Sequence, residues 1–189
     1  MTELHVAQDS AAVQRILEER ARLLARPPET PIAGDTTELV ILVLGGERYG
    51  VDIRRVREIH ILDAALTPVP GVPSYWVGLL NVRGRLYPIL DLGDYLSLSA
   101  PLRNTGRDGG STHAPKVALV SAAGQEVGLL VDDVPQVRRV TQAEIGPPLT
   151  EGGSAKRRII TGITHDLLAL LDMETLLSDP KLTVQDSAA

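Results

Sequence analysis

The sequence predicts an all-β, mainly antiparallel fold, arranged as two five-stranded barrels that share a seam. Three observations predict it. About nine or ten short runs rich in Val, Ile and Leu are punctuated by Gly/Pro turns. No strand–helix alternation runs through them, which excludes a parallel sheet with crossover helices. Aromatic residues make up 3% of the chain, with no Phe and one Trp, so the core is aliphatic. A single ten-stranded barrel would be wide for such small side chains.

The elements follow in order. "SAAVQRILEERARLLAR" (10–26) predicts a helix with Val13, Ile16, Leu17, Leu23 and Leu24 near one side, capped by Asp9 or Ser10. Pro27-Pro28 stops it, and 27–37 reads as a Pro-rich linker. "ELVILVL" (38–44) and "RYGVDI" (48–53), joined across Gly45-Gly46, predict a hairpin. "RRVREIHIL" (54–62) predicts a short helical turn leading into a strand, and Pro68, Pro70 and Pro73 forbid regular structure through 67–74. "YWVGLLNV" (75–82) and "RLYPILDL" (85–92) predict strands turning at Arg83-Gly84, with Pro88 marking an edge strand or a bulge.

One helical turn is expected in 91–98, and a long polar, Gly-rich loop over 99–114. "KVALV" (116–120) and "EVGLLV" (126–131) form the next hairpin. "VPQVRRV" (134–140) follows, then a second loop at 146–157. "IITGI" (159–163) pairs with "LLALLD" (167–172) across His165-Asp166, and a closing helix at 173–178 is stopped by Pro180. "ERYGVDIRRV" and "QEVGLLVDDV" share a rhythm, a faint sign of two related barrels.

Composition narrows the function. The net charge is −5 with both signs interspersed, which disfavours nucleic acid or an anionic membrane as partner. The tight basic cluster Lys156-Arg157-Arg158 reads as a solvated loop or the rim of an interface, because single-strand binding also needs aromatic stacking platforms. The absence of cysteine excludes disulfides, thiolate catalysis and cysteine-ligated metals. There is no phosphate-binding Gly-rich loop, GxSxG elbow or HExxH. His5, His60, His113 and His165 are far apart in sequence and lack carboxylates at ligand spacing. Asp132 and Asp133 point to opposite faces if they lie on a strand. The expectation is a protein-interaction module, not an enzyme, with no cofactor and no metal. No signal-peptide core or membrane-length run is visible, so a cytoplasmic location is expected.

Three segments carry more. "RYGVDIRRVREI" (48–59), "TPVPGVPSYWVGLLNVRGRLYPILDL" (67–92) and "EVGLLVDDV" (126–134), in this order and spacing, resemble the CheW-like domain family. That family comprises the coupling proteins of bacterial chemosensory arrays and the regulatory domain of the CheA kinase. The resemblance implies two intertwined five-stranded SH3/OB-like β-barrels over 38–178, the first about 38–84 plus 159–178 and the second about 85–158. Residues 1–37 would be an added helix and linker, and 179–189 a flexible tail.

The same resemblance implies a non-catalytic adaptor between the cytoplasmic hairpin tip of methyl-accepting chemoreceptors and a CheA-type histidine kinase regulatory domain. Such an adaptor is recruited to membrane receptor arrays through these partners. The alternatives are an adaptor for surface motility or another non-flagellar output, and a small-barrel nucleic-acid-binding module. Glu58 matches the family's Val-x-Glu-Ile, and Arg83 its Asn-x-Arg-Gly. The two are expected to pair near the seam, beside a receptor groove floored by Val56, Ile59, Gly78 and Val82. Gly84 lets the chain reverse after Arg83, having no Cβ to oppose positive φ.

Overall fold

The computed structural model describes residues 36–98, 114–148 and 158–182. The helix expected at 10–26 and most of the two long loops lie outside those residues. Eleven strands among the described residues form two sheets. The first contains β1 (Thr36–Leu44), β2 (Glu47–Asp52), β8 (Val137–Thr141), β9 (Ile145–Gly146), β10 (Ile160–Thr164) and β11 (Leu168–Leu171). Its order is β8-β1-β2-β11-β10-β9. The second contains β3 (Val56–Ile61), β4 (Trp76–Val82), β5 (Arg85–Asp91), β6 (Lys116–Ala122) and β7 (Gln125–Val131), ordered β3-β6-β7-β5-β4. Pairing is antiparallel except at each centre, where β2 runs parallel to β11 and β7 parallel to β5.

The nearly continuous apolar runs follow from burial on both faces. Along β1, Leu39 and Ile41 enter a cluster with Val140 and Leu168, inside the first sheet. The alternate residues Val40, Leu42 and Leu44 enter a larger cluster shared with the second sheet. β6 behaves likewise: Val117 and Leu119 join Leu80, Ile89 and Leu130, whereas Ala118, Val120 and Ala122 face the shared core. Three apolar clusters therefore stack, one within each sheet and one between them. The central one supplies the seam the sequence predicts.

The faint repeat is a structural duplication. Each sheet joins two hairpins through its parallel centre, β1–β2 with β10–β11 in the first and β6–β7 with β4–β5 in the second. Gly50 sits opposite Leu170 in one centre, and Gly128 opposite Ile89 in the other. A Cβ on Gly128 would lie 2.4 Å from Ile89 Cδ1 and 2.7 Å from Val117 Cγ1. A short helix follows each sheet's centre: α1 (Leu92–Tyr95) after β5 and α2 (Met173–Leu177) after β11. Asp91 caps the first by accepting from Asp94 N at 2.9 Å, and Asp172 the second by accepting from Glu174 N at 2.9 Å.

Four expectations need correction. The second sheet is the continuous stretch 56–131, and the first combines 36–52 with 137–171. A boundary at 84/85 would cut the β4–β5 hairpin, and the seam is crossed instead after β2 and after β7. The first sheet has six strands, not five, because two-residue β9 pairs with β10; so short a strand leaves no alternation to read. β5 is interior, but Pro88 lies one residue before β7 begins to pair at Ile89, in the half of the strand with one neighbour. Finally, the first residues of the expected tail are fixed. Pro180–Leu182 form a 3-10 turn, Leu182 is buried in the shared core, and Asp179 pairs with Arg158 at 2.8 Å.

Candidate partner-binding site

The β4–β5 turn is built by its own residues. Arg83 and Gly84 both take positive φ, 50° and 85°, as a two-residue hairpin turn of the primed type requires. The Asn81 side chain accepts from Gly84 N at 2.9 Å, locking the reversal. This leaves the arginines on either side of Gly84 free to reach out. Arg83 Nη1 donates to Glu58 Oε1 on β3 at 3.1 Å. Arg85 Nη2 donates to Glu126 Oε2 on β7 at 2.7 Å, and its guanidinium lies 5.5 Å from the Tyr87 ring centroid.

β3 and β4 stand at opposite ends of the second sheet's hydrogen-bonding order. The Arg83–Glu58 contact shows that the sheet curls until these edges face each other. The pair expected from the sequence thus forms, across the two edges of one sheet. β3 alternates half-buried and exposed positions, which sets Glu58 and His60 inward and Arg57, Ile59 and Ile61 outward. His60 Nε2 lies 3.1 Å from Glu58 Oε2. Sequence reasoning set His60 aside for want of a metal-ligand pattern; its i, i+2 spacing from Glu58 on a strand was the available signal.

The expected groove floor divides. Ile59 is 44% exposed. Val56 is half-buried against the shared core, and Val82 is half-buried against the second sheet's own cluster. Gly78 is buried beneath the Pro-rich segment: Thr67 and Leu79 exchange backbone hydrogen bonds of 2.9 and 2.8 Å. A Cβ at Gly78 would stand 2.5 Å from Thr67 O, at φ 140°. Its missing side chain makes room for the protein's own backbone, not for a partner. Glu58, Ile59 and Arg83 are the members of the set that remain accessible.

Among the described residues no three of His, Asp or Glu gather as a metal site needs. Asp132 Oδ2 accepts from Gly45 N at 2.6 Å and Asp133 pairs with Lys116 at 2.6 Å, so both serve local structure. No helix among the described residues is long and apolar enough to cross a membrane.

The sequence model of the CheW-like domain matches residues 38–181, spanning both sheets. The chain belongs to the CheW-like domain family. It is 32% identical over 164 residues to the chemotaxis protein CheW of Klebsiella aerogenes, covering 84% of this chain and 93% of the relative. It is also 32% identical over 140 residues to protein FrzA of Myxococcus xanthus, covering 71% of this chain and 81% of the relative. Among solved structures, the scaffolding protein TtCheW of Thermoanaerobacter tengcongensis superposes with a TM-score of 0.62 at 26% identity. The likeness covers 78% of this chain and 96% of that one. This CheW-like chain is a chemotaxis scaffold of the CheW type. Its Arg83–Glu58 contact lies inside the matched span 38–181.

Proposed function

We propose that this chain is a non-catalytic adaptor coupling the cytoplasmic hairpin tip of a methyl-accepting chemoreceptor to the regulatory domain of a CheA-type histidine kinase. It acts in the cytoplasm and reaches membrane arrays through these partners. The observation that carries the reading is the CheW-like match over 38–181. The receptor tip is taken to lie along β3 and the β4–β5 turn, where Glu58, Ile59 and Arg83 are accessible. Val56, Gly78 and Val82 support that face from behind. A helix in an apolar trough with a polar rim is a common recognition mode, and an exposed isoleucine beside an ion pair fits its edge.

The test is reconstitution of a CheA kinase with a receptor cytoplasmic fragment, with and without this chain. Kinase activity should depend on the receptor fragment only when the chain is present; activity indifferent to the chain would reject the reading. A second reading keeps the adaptor and changes the output to surface motility or another non-flagellar response. The likeness to FrzA as well as to CheW favours retaining it. Recovery of the chain's native kinase and receptor by pull-down separates the two.

A further inference from the structure

Two basic groups stand against Glu58, and only Arg83 belongs to the expected pair. Arg83 meets Oε1 and His60 faces Oε2, each at 3.1 Å. Glu58 and His60 share the inward face of β3, two residues apart. His60 Nε2 is closed off from solvent and completes no hydrogen bond among the described residues. The carboxylate is therefore the group it is placed against, near enough that a small ring rotation would complete the bond. The bond needs the ring hydrogen on Nε2, since a bare ring nitrogen would set its lone pair against the carboxylate oxygen. A carboxylate held at one oxygen can swing about its last bond, and one held at both is fixed.

We propose that His60 is a positioning residue of the partner site, holding Oε2 of Glu58 so that Oε1 stays turned to Arg83 across the sheet edges. This rests on the reading that the receptor tip binds this face. Because Nε2 is sealed from solvent, this nitrogen acts through Glu58. The other sheet carries a comparable crossing of opposite polarity. There Arg138 on edge strand β8 reaches Asp166 Oδ2 in the β10–β11 turn at 2.6 Å. Thr164 Oγ1 donates to Asp166 Oδ1 at 2.7 Å. In both halves a carboxylate joining an edge strand to a turn has a neighbour at each oxygen.

The experiment measures calorimetric binding of a chemoreceptor cytoplasmic hairpin fragment to the full chain. His60→Leu should weaken it about three- to tenfold, the worth of one hydrogen bond. His60→Gln, whose amide can donate from a similar place, should stay within about twofold. In a Glu58→Gln background, His60→Leu should cost nothing further. Thermal melting of each variant monitors the fold; should His60→Leu melt far below wild type, His60→Ala, also lacking a donor, is read in its place. Equal losses from Leu and Gln, full additivity with Glu58→Gln, or unchanged binding in His60→Leu would overturn the proposal. Unchanged binding in both Glu58→Gln and Arg83→Ala would instead reject the site, and the positioning role with it.

Discussion

Arg83 holds a positive-φ turn position that non-glycine residues seldom occupy, and its side chain is mostly exposed. Gly84 and Asn81 set the turn, so the guanidinium is not needed to shape the hairpin. Exposed ion pairs contribute about 0–1 kcal/mol. Arg83→Ala should therefore weaken receptor coupling while lowering the melting temperature by less than about 4 °C. A large stability loss, or coupling left intact, would count against the assignment. Gly78 makes the opposite case. With Thr67 O 2.5 Å from where a Cβ would sit, Gly78→Ala should cost about 1–3 kcal/mol from crowding alone. Denaturant unfolding measures it, and a wild-type midpoint would restore Gly78 as open floor. Glycine in a sequence announces that a side chain has no room, without saying what takes the space.

At the scale of elements, β8 is tied to the β10–β11 turn by charge. Asp166 accepts from Thr164 and Arg138, which together hold its carboxyl down at about 2. Arg48 of β2 also reaches it, at 3.1 Å. Because the folded value lies below the ordinary 3.8, the stabilisation is present above that value and is lost as the pH falls toward about 2. Asp166→Asn should thus be less stable at neutral pH and show a flatter loss of stability between about pH 4 and pH 2. The Asp166 side chain is partly open to water, so the effect is modest. Acid titrations of the two proteins that run parallel would remove Asp166 from this role. The hairpins themselves were legible: runs rich in Val, Ile and Leu mark strands, and Gly45-Gly46 and Arg83-Gly84 mark reversals. β9 was not, since two residues cannot display a period of two.

For the whole molecule, each sheet draws strands from both sides of the segment 99–113, which lies outside the described residues. β1 and β2 need β8 and β11, while β3 and β5 need β6 and β7. The shared core also takes residues from both sides, among them Leu42, Leu90, Val120 and Leu171. Chains 1–98 and 114–189 should each lack dispersed amide spectra alone and acquire them on mixing. A native-like spectrum from either fragment by itself would show that the two sheets do not depend on each other as described. The intact chain should unfold in one transition by both circular dichroism and Trp76 fluorescence.

The sequence by itself determined the class of fold, most strands, the turns, the aliphatic core and, through its motifs, the family. These are local properties, written by neighbours a few residues apart in the β-branched runs and Gly/Pro punctuation. Only the tertiary structure decided which strands share a sheet, that the chain crosses between sheets after β2 and β7, and that Glu58 and Arg83 meet across curled edges. Alternation tells which side chains share a face, but not which strand lies alongside, because backbone hydrogen bonds do not depend on side-chain identity. Partners far apart along the chain are chosen by packing in three dimensions: Ile89 fills the space a Cβ on Gly128 would need, and the Thr67 backbone the space a Cβ on Gly78 would need.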